Sequence, residues 1–316
     1  MIRKQFVAVA VHWTRVIRVC LAMTAIVLTC GVSPALADDD DVVNAMGFEL
    51  PFSTVFLGTG QLEGQVNPAG EGQILPPGQW QRTPGGTSTA VVQSAVFAPG
   101  GGTQAVRVDR AANNDVRWGV QVDHLGYPDY PNPFPPEPAQ PCICINWDMR
   151  VEQTVGPDGT FGPFFGVEAY DDASGIGLLG SLGVDATTGD VLAQDPTLGG
   201  ALVETGSVVN FGDWNHFQIK LDYSTDQYTI YRNFASLGTF GFVDGAGLDQ
   251  FSDADISALG AAGDPGSQAL TGTAYYDNFL VREGACPIPE PDALMLAGIA
   301  LAMAPSVGRR GRCSRC

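Results

Sequence analysis

The chain has 316 residues, 45% of them hydrophobic and 16% charged, and its 16 basic and 34 acidic residues leave a net charge of −18. Four cations precede Asp38 and four follow Pro291, so the stretch between carries eight cations against 33 acids, a balance of −25, with Lys220 as its single lysine. Such a surface repels nucleic acid and anionic lipid and excludes a nucleic-acid role, while it can attract calcium or another hard cation.

Residues 1–37 carry the pattern of an export signal. Arg3, Lys4, Arg15 and Arg18 form a basic start, Val19 to Val32 an apolar run, and Ala35-Leu36-Ala37 an A-x-A cleavage site before Asp38. The apolar run falls short of the roughly 18 residues that a membrane anchor needs. Cys30 follows Leu28-Thr29, a poor setting for lipidation. The expected partners here are the Sec export machinery and signal peptidase. Residues 38–46 then read as a loose acidic leader.

From residue 47 to 285, Gly and Pro punctuate the chain about every 8–12 residues, the spacing of turns between short strands, and no long stretch has helical period. Ile143–Glu152 alternates cleanly, with Ile143, Ile145, Trp147, Met149 and Val151 on one face and Cys144, Asn146, Asp148, Arg150 and Glu152 on the other. Trp214–Tyr223 does the same, and Ser224-Thr225-Asp226 turns it into Gln227–Arg232 as a hairpin. Further strands are predicted over Ala90–Phe97, Gln104–Asp109, Val116–Val122, Phe161–Tyr170, Leu178–Asp185 and Thr273–Arg282. Many antiparallel strands with one apolar face predict an all-β fold, two sheets packed as a sandwich. Tyr127–Pro141 holds seven prolines in fifteen residues and reads as an extended surface loop.

Cysteine usage leaves pairing open. Cys142, Cys144 and Cys286 lie in the body and Cys313 and Cys316 in the tail; one bridge with a free thiol suits an oxidising compartment, and the spacing names no pair. The three histidines, His12, His124 and His216, are too scattered to complete a zinc site.

Several short stretches carry a family resemblance. Gly47-Phe48-Glu49, Leu62-Glu63-Gly64-Gln65, Trp80, Gly212-Asp213-Trp214 with the strand after it, and the closing Ala274-Tyr275-Tyr276-Asp277-Asn278-Phe279-Leu280-Val281 resemble concanavalin A-like (laminin G-like) jelly rolls. The resemblance implies an antiparallel jelly-roll sandwich whose last strand returns beside the first. Catalytic relatives, the glycoside hydrolases, place Glu-x-Asp-x-Glu on one strand. The local counterpart here, Asp148-x-Arg150-x-Glu152, puts arginine at the centre and spreads its acids about 13 Å at Cα, too wide for retaining hydrolysis. Arg150 would also hold both acids ionised, so an ion network on an exposed face is expected. No G-x-S-x-G elbow occurs, and Gly100-Gly101-Gly102 precedes no helix. The chain is expected to be no enzyme and to require no cofactor. Jelly rolls of this kind often bind glycans, which makes the loop aromatics Tyr127, Tyr130, Phe134 and Tyr170 candidates, with Asp171, Asp172, Asp253 and Asp255 as candidate calcium ligands. Asp277-Asn278 reads as structural, tying its strand to a neighbouring loop.

Residues 286–316 close the chain with a hinge (Pro289, Glu290, Pro291), an apolar segment over 293–307, and a basic stop of Arg309, Arg310, Arg312 and Arg315. The run Leu294–Val307 would be about 21 Å long as a helix, marginal against a hydrocarbon core of about 30 Å. The arginines would stay cytoplasmic. This order of parts resembles the PEP-CTERM sorting signal. A second Pro136-Glu137-Pro138, followed by neither apolar run nor arginines, shows that the order and not the tripeptide carries the signal. The resemblance implies processing by exosortase, an integral-membrane cysteine protease of Gram-negative-type bacteria. It also implies membrane insertion in transit, then a place on the cell surface or in the extracellular matrix or biofilm. A structural or adhesive role is expected, with a carbohydrate-binding module contacting exopolysaccharide as the alternative and a secreted glycosidase as the third reading.

Overall fold

The computed structural model describes residues 41–67, 78–100, 102–120, 142–157, 159–172, 176–284 and 286. The expected signal peptide with Ala35, Ala37 and Asp38 lies outside them. So do the expected proline-rich loop with Tyr127, Tyr130 and Phe134, the Pro289-Glu290-Pro291 motif, the apolar segment over 293–307, and Arg309, Arg310, Arg312 and Arg315. Among the described residues no helix is long and apolar enough to cross a membrane.

The described chain forms fifteen strands in two antiparallel sheets, the sandwich that the alternation predicts. The first sheet runs in the order β13 (Ala235–Gly241), β12 (Gln227–Arg232), β11 (Asn215–Asp222), β6 (Cys142–Val151), β15 (Gly272–Glu283), β4 (Ala105–Arg110) and β3 (Thr89–Gln93), and β1 (Asp41–Asn44) also pairs with β15. The second runs β10 (Ala201–Val208), β9 (Asp190–Asp195), β8 (Gly177–Asp185), β7 (Phe164–Asp171), β14 (Asp253–Leu259), β5 (Val116–Gly119) and β2 (Gln81–Thr83).

Between the sheets lies one apolar core. From β6 and β11 come Ile143, Ile145, Trp147, Phe217 and Ile219, and the Trp147 and Phe217 rings stack at 5.7 Å. Val167, Leu182, Ile256 and Trp118 meet them from the second sheet. Tyr276 on β15 crosses the core and donates its hydroxyl to the carbonyls of Gly166 and Ser257, at 3.3 and 3.4 Å, so a buried polar tip is satisfied by the opposite sheet. Gly180 on β8 lets the Tyr228 ring lie flat against the strand; a Cβ there would sit 2.8 Å from the ring.

Two expectations need correction. Residues 38–46 are no loose leader where described: Asp41–Asn44 is β1, with Val42 and Val43 buried, and Asp41 is paired at 2.8 Å with Arg282 of β15. The acid run that suggested solvation supplies the buried end of an ion pair. Tyr170, Asp171, Asp253 and Asp255 are not loop residues either; the first two belong to β7 and the last two to β14. Asp-Ala-Asp reads locally as a turn, but the apolar Ala254, Ile256 and Ala258 set the period and the acids fall on the other face.

The cysteine pairing left open by the spacing is resolved. Cys144 bonds Cys286 with Cα atoms 5.5 Å apart, and Cys142, one pleat along β6, carries a free thiol. The bridge closes a loop with a sequence separation of 142, so it restricts the unfolded chain strongly. Cys286→Ser is expected to cost about 2–4 kcal/mol in urea unfolding of the oxidised protein. Cys142→Ser should stay within about 0.5 kcal/mol. Equal losses in the two variants would refute the pairing.

Candidate functional site

The outer face of the second sheet, across β2, β5, β14 and β7, presents a cleft of about 450 Å³. Alternation puts its residues there. With Ala254, Ile256 and Ala258 in the core, Asp253, Asp255 and Ser257 face outward, opposite Tyr170, Glu168 and Gly166 of β7. On the other side of β14, Ser257 is in register with Arg117 of β5, which is in turn in register with Thr83 of β2. Gly119 of β5 lies beneath Asp255: a Cβ there would fall 1.7 Å from its Oδ1, so only a glycine leaves that carboxyl its place.

The floor is neutralised internally. Arg117 Nε donates to Glu168 Oε2 at 2.6 Å and to the Tyr170 hydroxyl at 2.8 Å, and the guanidinium carbon sits 5.9 Å from the Tyr170 ring centre. Ser257 Oγ donates to the same Glu168 oxygen at 2.7 Å. Burial alone would lower the Arg117 pKa, but Glu168 and Tyr170 outweigh it and hold the guanidinium charged. Burial, reinforced by Glu168, pushes the Tyr170 phenol up.

The carboxyls above that floor have no such partners. Asp255 is 9% exposed, and burial, with the nearby Glu168 charge, raises its pKa to about 7, an effect that Arg117 only partly offsets. No described residue donates a hydrogen bond to it. Burial and the Asp255 charge raise Asp253 well above the ordinary range, and its Oδ1 is enclosed without a donor. Asp172, just past β7, is raised by burial and by Asp171, and its Oδ1 likewise lacks a donor.

Of the residues singled out from sequence, the structure thus brings Tyr170, Asp172, Asp253 and Asp255 to one cleft. Asp171 points elsewhere: its buried carboxylate accepts the backbone N–H groups of Asp249 and Gln250 at 3.0 and 3.2 Å. No group of three His, Cys, Asp or Glu side chains placed to hold a metal ion occurs among the described residues. Arg117, Glu168, Gln81 and Thr83 were missed by sequence reasoning. The register of β2, β5 and β7 against β14 is what joins them, and no local motif records it.

On the first sheet the row Asp148-x-Arg150-x-Glu152 is the ion network expected of it. Arg150 pairs with Glu152 at 2.8 Å and lies 5.8 Å from the Tyr275 ring centre. Asp148 takes Asn278 Nδ2 at 2.7 Å and lies 2.8 Å from His216 Nδ1. Asp277 accepts the Ala98 N–H at 2.9 Å and so ties β15 to the loop after β3.

No family model matches the chain, and no curated protein sequence matches it. Solved structures align with it as folds. A sialidase aligns at 9% identity and TM-score 0.43 over 64% of this chain, which spans 16% of the sialidase's length. The cellulose-induced protein Cip1 aligns at 12% identity and TM-score 0.40 over 64% of this chain and 90% of its own. A botulinum neurotoxin type C structure, whose cell entry depends on two ganglioside molecules, aligns at 11% identity and TM-score 0.43 over 75% of this chain and half of its own. The class that the two antiparallel sheets and their strand order define is an all-β, jelly-roll-like two-sheet sandwich.

Asp255 links stability to pH. Its folded pKa near 7 stands above the ordinary 3.8, so the folded state holds the proton between those values and the group destabilises folding increasingly as pH rises through that window. Asp255→Asn removes the burden. The variant should exceed the wild type by more than about 1 kcal/mol at pH 8 and match it near pH 4. A difference independent of pH in urea titrations would refute the assignment.

Proposed function

We propose that the chain is an exported surface protein whose sandwich is a non-catalytic, adhesive module that holds a saccharide in the cleft of β2, β5, β14 and β7. The observation that carries this reading is the lining of one cleft by Tyr170 and by the carboxyls of Asp172, Asp253 and Asp255, of which Asp255 receives no hydrogen bond from a described residue. Sugar hydroxyls donate to such oxygens, while the C–H face of a pyranose packs on an aromatic edge. Gln81 and Thr83 add neutral polar groups at the β2 side.

Catalysis fits the cleft less well. Glycoside hydrolysis needs one carboxyl protonated and another ionised, with environments that drive their pKa values apart. Here burial drives Asp253, Asp255 and Asp172 in the same direction, upward. Calcium is not required by the reading, since Asp171 is engaged by backbone N–H groups.

The route to the surface rests on the two ends of the sequence. In this reading the signal peptide directs export through Sec, and signal peptidase cuts after Ala37. Exosortase then recognises Pro289, Glu290 and Pro291 while the arginines hold the tail, and the body reaches the surface or the matrix.

Two measurements test these parts separately. On a glycan array, wild-type binding should survive EDTA, and Tyr170→Ala should weaken it at least tenfold; an unchanged variant would remove the cleft from the function. Replacing Pro289, Glu290 and Pro291 by alanine should leave the protein in the membrane fraction with its tail intact by mass. Normal release of that variant would sink the sorting proposal.

A further inference from the structure

The cleft has a charge problem, and its solution names a ligand class; the argument rests on the saccharide reading above. Asp172, Asp253 and Asp255 line the cleft with Arg117 as the cation beside them, and Arg117 is already paired with Glu168 at 2.6 Å. The other charged or titratable groups facing Asp255 are Glu168 and Tyr170 on β7, Asp172 beyond it and Asp253 on its own strand, whereas β2 offers only Gln81 and Thr83. Described residues leave lone pairs of these carboxyls unfilled: Asp255 is nine-tenths buried and receives no hydrogen bond from any of them, and one enclosed oxygen each of Asp253 and Asp172 lacks a donor.

We propose that the saccharide held in this cleft carries free amino groups, an amino-sugar polymer that is not fully N-acetylated, and that its ammonium is the cation shared by Asp253, Asp255 and Asp172.

An ammonium suits the site on four grounds. It brings three N–H donors and a positive charge, which is what unfilled acceptors without a counter-ion call for. It tolerates carboxyls that are spread apart, whereas a metal ion requires oxygens converging at about 2.4 Å, and no such group occurs among the described residues. It can use the Tyr170 ring as a further cation-binding surface. Over longer range, the −25 balance between Asp38 and Pro291 attracts a polycation and repels a polyuronate. A neutral glycan would fill hydrogen bonds and leave the charge uncompensated.

Binding is then coupled to protons. In the empty cleft a proton occupies Asp255 up to a pH of about 7, so an ammonium displaces it. The complex gains as the carboxyls ionise and weakens on acidification, even though the amine becomes more fully charged.

The test uses the full chain and two probes with one backbone, the β-1,4-linked hexamer of glucosamine and its fully N-acetylated counterpart. Titration calorimetry at pH 6.5 should show the glucosamine hexamer binding at least tenfold tighter, with net proton release revealed by two buffers of different ionisation heat. Its affinity should fall at least tenfold at pH 5. Asp255→Asn and Asp253→Asn should each lose at least tenfold for this probe, whereas Asp148→Asn on the other sheet should bind normally. Equal affinities for the two hexamers, both sensitive to Asp255→Asn, would overturn the amine and leave the saccharide reading standing. Absence of binding by either hexamer would overturn the proposal; only a glycan array with no Tyr170-dependent binding would overturn the saccharide reading with it. Poly-lysine bound as tightly and with the same Asp255 dependence would make the ligand a basic polypeptide instead.

Discussion

β15 has to satisfy more neighbours than any other strand, and the way it does so fixes the sandwich. It pairs with β6 along one side, while β4 takes Gly272–Tyr276 and β1 takes Leu280–Arg282. Alternation from Ala274 and Tyr276 would next put Asn278, Leu280 and Arg282 into the core. Instead the register with β6 slips between Asp277 and Leu280, Asn278 adopts a φ of +50°, and Phe279 and Val281 turn inward. Asparagine is among the few residues other than glycine that enter the left-handed region at modest cost. Side-chain bonds secure the bulge: Asn278 donates to Asp148, and Asp277 accepts the N–H groups of Ala98 and Asn278. Asp277 is fully buried, and burial raises its pKa to about 7, which those two N–H groups moderate without abolishing. The chain spends a buried acid to flip the parity of one strand, and the first-to-last closure follows from it.

That account also explains what could be read in advance. β6, β11 and β12 are clean because each lies with one face in the core and one in a polar layer, so every residue reports its side. β10 and β13 escaped, since their Gly, Ser and Thr content and half-exposed faces dilute the alternation, and β9 escaped because Val191, Leu192 and Ala193 are buried in succession without alternating. β1 was misread because its partner Arg282 is 241 residues away, and a run of aspartates looks solvated until that partner is in place. The cleft shows the same division. Tyr170, Asp172, Asp253 and Asp255 have recognisable chemistry, yet their meeting depends on Asp253 lying opposite Tyr170 across 83 positions of sequence. Residue type carries chemistry locally; register carries geometry, and it is set by the whole sheet.

The two outer faces treat their acids differently. On the first sheet Asp148 and Glu152 are answered by His216, Asn278 and Arg150, so the row is closed upon itself. On the second sheet Glu168 is answered by Arg117, but the acids above it are left with empty lone pairs. Scarcity of cations alone does not account for this, because with eight cations for 33 acids most acids simply stay in water. Asp255 does not, and Gly119 leaves room for it to be buried. A sheet that buries a carboxyl without a partner gives up stability at neutral pH, and such unmet groups concentrate where a ligand completes them.

Placement supports the same division of labour. Cys144 lies on the face of β6 opposite Ile143 and Ile145, hence outside the first sheet, and it holds Cys286 there by the disulfide. Cys286 is thereby held on the outer side of the first sheet. The cleft opens on the outer face of the second sheet, with the full thickness of the core between them. The bridge ties Cys286 to β6, which lies inside its sheet between β11 and β15.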